Sequence, residues 1–176
     1  MYPYLRMMKV MAEARRAPPL GLFDDHVSRH ICWPWDLDLW WELNNGRTLT
    51  LYDLGRLPLA RRTGLDTVLA AKGWGMVVAG SSIRYRRRVT AFNRLTMHSR
   101  CIGWDARFVY VAQSLWRAGD CTSHVLIRSA VTSANGIVPP SEMILAIGAA
   151  PESPPLPDWV KAWIAADATR PWPPAV

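Results

Sequence analysis

The stretch Trp35-Asp36-Leu37-Asp38-Leu39-Trp40-Trp41-Glu42-Leu43-Asn44-Asn45-Gly46-Arg47 sets three carboxylates among aromatic side chains, with Trp33 just upstream. A carboxylate in an apolar surround holds a poorly solvated charge, which suits a general base or a nucleophile. The same residue types also serve as caps, with Asp36 and Asp38 closing turns and Asn44-Asn45 starting a helix. Downstream, Leu49, Tyr52, Asp53, Arg56, Leu57, Leu59 and Ala60 repeat at helical spacing. They predict a helix over about 46–62 that Gly64 stops and Pro58 kinks or shortens. The first amides of such a helix are unpaired donors, able to polarise a carbonyl.

Beyond residue 73 the texture changes to strands, predicted at about 76–90, 93–104, 107–117 and 121–133. Turns fall at Ala91-Phe92, Trp104-Asp105 and Ala118-Gly119-Asp120. In the third of these strands Phe108, Tyr110, Ala112, Ser114 and Trp116 share one face, and Val109, Val111 and Leu115 the other. Two nearly apolar faces mark a central strand. Upstream, a helix over 3–16, with Tyr4, Met7, Met8 and Met11 on one side, ends before Ala17-Pro18-Pro19, and residues 26–33 read as a first strand. Residues 34–45 read as a connection. Pro139-Pro140 opens a short helix over 141–147, Pro151 to Pro157 is a stiff linker, and 158–166 form a last helix presenting Trp159 and Trp163. One long helix followed by an antiparallel meander is an α+β pattern and excludes a doubly wound parallel sheet.

With 176 residues, half of them hydrophobic and a fifth charged, the chain makes one domain with extensions and is not disordered. The organisation expected is an N-terminal helical extension over 1–25, a central domain over 26–148 and a proline-rich C-terminal extension over 149–176. The formal charge of +7 is uneven: residues 54–117 carry 12 basic and 2 acidic groups. That places the cationic character in the segment containing Arg84-Tyr85-Arg86-Arg87-Arg88, as an anion-binding or a solvated face. Cys32, Cys101 and Cys121 are odd in number and unclustered, which fits a reduced, cytoplasmic protein. No window is apolar enough to span a membrane, and Arg6, Lys9 and Glu13 interrupt any signal-peptide core. No G-x-S-x-G or Walker loop occurs, and Gly73-Trp74-Gly75 precedes a strand where a dinucleotide fingerprint would follow one. His26, His30 and Cys32 read as one polar strand face, with no metal expected.

Asp36-Leu37-Asp38 followed by Asn44-Asn45 and a helix resembles the D-x-D-x-x-G-H-x-x-N signature of hotdog-fold acyl-CoA thioesterases, the 4-hydroxybenzoyl-CoA thioesterase-like superfamily. Asn44-Asn45-Gly46-Arg47, Tyr52-Asp53-Leu54-Gly55-Arg56 and Arg62-Thr63-Gly64-Leu65 are similar to the family's helix, and Gly103-Trp104-Asp105 to its strand turn. The resemblance covers about residues 26–148. It implies a long helix wrapped by an antiparallel sheet, and a homodimer or homotetramer with the acyl-thioester site between subunits. It implies Asp38 as the catalytic carboxylate, attacking the thioester or activating water, and amides of Asn45 to Arg47 at the carbonyl. Asn44 and Asn45 then belong to the site. Arg84, Arg86 and Arg88 are candidates for the CoA phosphates by charge alone. CoA arrives as part of the substrate, and no separate cofactor is implied. The family's Gly-His is here Trp41-Glu42, which sets Glu42 beside Asp38 as a second carboxylate able to share its role.

Three functions follow: hydrolysis of acyl-CoA, silent binding of acyl-CoA or an acyl carrier on the same fold, and nucleic-acid binding through the arginines. Tyr85 alone is a meagre stacking platform, so no nucleic-acid partner is expected.

Overall fold

The structure, a computed structural model, describes residues 2–174. Helix α1 (Tyr4–Arg16) leads into strand β1 (His26–Ile31), a single 3-10 turn (Pro34–Asp36) and the long helix α2 (Asn45–Arg62). Then come α3 (Leu65–Lys72), β2 (Gly75–Tyr85), β3 (Arg94–Trp104), β4 (Val109–Arg117), β5 (Asp120–Ser133), β6 (Gly136–Val138), α4 (Pro140–Ile147) and α5 (Asp158–Ala168). All strand pairs are antiparallel, in the order β1-β3-β4-β5-β2, with β6 added beside β5. The strand read as apolar on both faces, β4, is the central one.

Helix α2 lies on the inner face of this sheet. Its Leu51, Tyr52, Leu54 and Leu59 join Leu95, Met97, Leu115 and Val125 in the main core. The closest approach is at Gly55, where an added Cβ would strike Met97 Sδ and lie 2.6 Å from Ser99 Oγ. Only glycine lets the backbone sit there. Gln113, fully buried from β4, donates to Tyr52 O and to Ser99 Oγ, both at 2.8 Å, and the Tyr52 hydroxyl meets Ser123 Oγ at 2.8 Å. Helix and sheet are thus joined by polar bonds inside an apolar contact.

Both flanking helices pack on this unit. Val10 of α1 joins the α2 core, and Val160 of α5 packs with Tyr110 and Leu126 on the outer face of the sheet. The proline-rich segment between α4 and α5 is strapped down by Trp104, whose backbone N–H donates to Ser153 Oγ (2.9 Å) and whose indole donates to Pro151 O (3.2 Å). Gly103 makes room for it, with φ +136 and Ser153 Oγ 2.7 Å from where a Cβ would stand.

Several expectations are corrected. Pro58 does not shorten α2, because burial of its neighbours against the sheet outweighs the lost hydrogen bond, a penalty of about 3 kcal/mol in an exposed helix. Residues 86–90 are not strand: the chain leaves the sheet at Tyr85, and Arg86 and Arg87 both donate backbone N–H groups to Thr122 O. Helix α3 and strand β6 were missed, the first because only one side of a short helix meets the core, the second because it is three residues long.

His26 and His30 share the inward face of β1 with Ser28. Arg62 donates to His26 Nδ1 (3.1 Å), which leaves the buried Nε2 proton without a partner, and Ser28 Oγ meets His30 Nε2 at 2.8 Å. Burial, reinforced by nearby cations, holds both imidazoles down at about 4. Their unfolded value is about 6.5, so the unfolded chain takes up protons first. Stability contributed by the neutral rings is full above pH 6.5 and is lost as the pH falls towards 4. Denaturant titrations at pH 7.5, 6 and 5 should show that decline, and a His30→Asn variant should flatten it. A flat profile in the wild type would contradict this assignment.

Candidate active site

The segment read as a connection is a small hairpin seated at the start of α2. Leu37 and Leu43 form an antiparallel bridge, Asp38 N donates to Glu42 O (2.8 Å), and Trp41 N closes the turn on Asp38 O (3.1 Å). Trp41 adopts φ 60 at the tip. This is the left-handed region that favours glycine, the residue that the resembled signature carries here. The hairpin is tied to the helix by Asn44 N bonding Asp36 O (2.9 Å), and to the segment after β2 by Leu43 N bonding Val89 O (2.8 Å).

The two aspartates have separate surroundings. Asp36 is 1% exposed. Its Oδ2 accepts from Arg6 Nη1 (2.7 Å) and Trp33 N (3.0 Å), and Arg47 Nε stands 3.3 Å from Oδ1. Arg6 also donates to Ile31 O at 3.0 Å. One buried carboxylate thereby joins α1, the end of β1, the hairpin and the first turn of α2. Asp38 is half-buried; its Oδ1 accepts from Trp40 N (2.9 Å) and Glu42 N (3.3 Å), and its Oδ2 has no bond among the described residues. The first aspartate has a cation beside each oxygen, though its buried Oδ1 accepts no hydrogen bond among the described residues, whereas the second keeps an oxygen available.

The helix start differs from expectation. Asn44 is the N-cap, and its Oδ1 accepts from Gly46 N (2.9 Å) and Arg47 N (3.1 Å). Of the three amides expected to stay open, Asn45 N–H alone lacks a partner among the described residues. Asn45 O accepts from the Tyr85 hydroxyl (3.3 Å), which brings the end of β2 beside the helix start. A hollow of about 90 Å³ lies there, lined by Glu42, Asn45, Thr48, Tyr85, Arg88 and their neighbours. Glu42 is paired with Arg88, so these two candidates are brought together, 46 residues apart in sequence. Arg86 is exposed but does not line this hollow; the adjacent Arg87 does. Arg84 is not part of the group: alternation along β2 turns it to the outer face, where it helps lower the basicity of the desolvated His124.

Arg6 and Arg47 are site-supporting residues that sequence reasoning missed. Arg47 sits one turn after the carboxylates and was within reach of a charge-pairing argument, whereas Arg6, 30 residues from its partner, had no local signal.

A long helix cradled by a curled antiparallel sheet is the architecture of the hotdog-fold thioesterases. The chain belongs to the thioesterase-like superfamily, whose sequence profile matches residues 32–164. Among curated proteins it is similar to protein THEM6 of Xenopus laevis, 33% identical over 111 residues, covering 62% of this chain and 54% of that protein. Protein THEM6 of Drosophila melanogaster is 25% identical over 137 residues, 76% of this chain and 69% of that protein. The match thus spans about half the length of the Xenopus relative. Among solved structures, the probable thioesterase YbaW of Escherichia coli superposes with TM-score 0.65 at 17% identity, over 69% of this chain and 96% of that one. A 1,4-dihydroxy-2-naphthoyl-CoA thioesterase from Synechocystis gives 0.61 at 10% identity, over 71% and 96%. At such identities the likeness is one of fold.

Removing one partner of a buried ion pair strands the other charge, at a cost of about 3–5 kcal/mol. An Arg6→Met variant should lose a large part of that stability in denaturant titration and show faster proteolysis within residues 4–20. An unchanged unfolding midpoint would refute the role given to the Arg6–Asp36 bond.

Proposed function

We propose that the protein hydrolyses acyl-CoA thioesters to a free acid and CoA. What supports this reading is a carboxylate oxygen, Asp38 Oδ2, and, seven residues on in sequence, a helix-start amide, Asn45 N–H, both without a partner among the described residues, in a member of the thioesterase-like superfamily. The thioester carbonyl oxygen would accept from Asn45 N–H at the positive end of α2, where charge develops as the carbon becomes tetrahedral. Asp38 would take a proton from water, whose oxygen adds to the carbonyl carbon. Collapse then breaks the C–S bond, and the CoA thiolate leaves and is protonated. In the alternative course Asp38 itself attacks, and water hydrolyses the acyl-aspartyl anhydride. Glu42, held by Arg88, stands by as the second carboxylate, and Asn44 keeps the helix start in place. Arg86, and Arg88 when released from Glu42, are suited to the CoA phosphates. The reaction calls for no cofactor beyond the CoA of the substrate.

A second subunit belongs to this reading. The hollow at the helix start, about 90 Å³, is smaller than the 300–1,000 Å³ or so of ordinary ligand sites. Beside it runs β2, 11 residues long, with one edge open and Val77 and Val78 exposed. A long apolar edge strand invites pairing. A second copy on that edge would supply the missing wall, as a homodimer or a pair of dimers.

The test is thiol release from a series of acyl-CoAs, short to long, by wild type and Asp38→Asn. Turnover of at least one chain length is expected, with a loss of about 10²-fold or more in the variant. Full activity in Asp38→Asn would remove the carboxylate from the mechanism. Binding without turnover across the series would instead establish an acyl-CoA-binding protein on a thioesterase fold.

A further inference from the structure

Exposed apolar surface gathers at the end of the molecule where the hairpin, the turn before it and the 90–93 turn interlock. Leu39, Trp40 and Trp41 at the hairpin tip are 90%, 73% and 76% exposed, and Trp35 and Phe92 are exposed too. Trp33 links the turns, stacking on Trp35 at 5.2 Å and meeting Phe92 edge-on at 6.2 Å. Single exposed apolar residues are ordinary; a group of this size marks an interaction site. Two of the rings are also held at a conformational cost. Trp41 has φ 60 and Phe92 φ 63, a region where a bulky side chain is strained and glycine is not. Both turns keep an aromatic ring in solvent where a cheaper residue would serve.

The surrounding charge is mainly basic. Asp36 is paired with Arg6 and Arg47 and Glu42 with Arg88, and Asp38, bonded by amides of its own turn, is the one hairpin carboxylate with no cation beside it among the described residues. Arg86 and Arg87, beside the hairpin arm, and Arg94, just after the Phe92 turn, are exposed, and among the described residues none has a carboxylate partner. A second copy of this face would bring the same excess of arginines with it and little negative charge to meet them. An anionic bilayer answers both features, since indole rings settle between headgroups and acyl chains while arginines reach lipid phosphates.

We infer that this end of the protein docks on anionic lipid surfaces, with Leu39, Trp40, Trp41 and Phe92 entering the headgroup region and Arg87 and Arg94 paired with phosphates. The inference rests on exposure, strain and charge, and it is independent of the reaction proposed above.

Flotation of the full chain with phosphatidylcholine vesicles, with and without phosphatidylglycerol, tests it at low and high salt. Two variants accompany the wild type: Leu39→Ser/Trp40→Ser/Phe92→Ser and Arg87→Glu/Arg94→Glu. The wild type should float with the anionic vesicles and far less with the neutral ones, more weakly at high salt. Each variant should bind at least about tenfold more weakly. Flotation of the wild type with neither vesicle would overturn the inference, as would undiminished binding by both variants. A fall in the apparent mass of the serine variant by light scattering would also overturn it, by showing that a second copy covers the patch.

Discussion

The buried carboxylate of Asp36 is the constraint on which the rest of the site depends. A carboxylate taken out of water is costly unless its oxygens find charged or strong donors, and here they find Arg6, Trp33 N and Arg47. Those partners come from three parts of the chain, so satisfying one ion fixes α1 against β1, the turn after β1, and the first turn of α2. With Asp36 anchored, the chain has little freedom in the next seven residues: Leu37 pairs with Leu43, and Asn44 N on Asp36 O holds the hairpin that carries Asp38 to the helix start. The buried aspartate thereby fixes the hairpin that carries the second aspartate, the one proposed to act on the thioester.

Packing then makes the position of the helix start a property of the whole sheet. Gly55 lets α2 approach until backbone and sheet side chains touch, and Gln113 and Ser123 bond the helix from β4 and β5. Tyr85, at the end of β2, reaches Asn45 O in the first turn. A shift of α2 would break bonds to three strands at once, and interiors this close-packed resist such shifts. A catalytic carboxylate and an amide donor need to be held to within fractions of an ångström, and a helix bolted to the middle of a sheet provides that.

The architecture was legible because it is written in periodicity. Leu49 to Ala60 announced the helix, and the two-faced apolar pattern of residues 108–116 announced the central strand. Pro58 misled in part, since tertiary burial overrode a local penalty. The site was only half legible. Asp36, Asp38 and Glu42 stood out as a carboxylate group among tryptophans, but sequence spacing could not say which would be buried. That was decided by Arg6, on a helix that the family resemblance left outside the central domain. Asn44 was visible both as a cap and as a site residue. As a cap it takes up two of the amides expected to face the substrate and leaves Asn45 N–H. Arg84 was misplaced among the candidates near the site because charge has no strand alternation built into it, whereas the side chain does.

The central claim is that the thioester sits at the junction of the hairpin and α2. It is tested most directly by a crystal structure with an acyl-CoA analogue in which the thioester is replaced by an inert carbonyl group. The carbonyl oxygen is expected about 3 Å from Asn45 N, and Asp38 Oδ2 within reach of the carbonyl carbon directly or through one water. An analogue whose carbonyl lies away from that amide, with Asp38 still bonded only to its own turn, would contradict it.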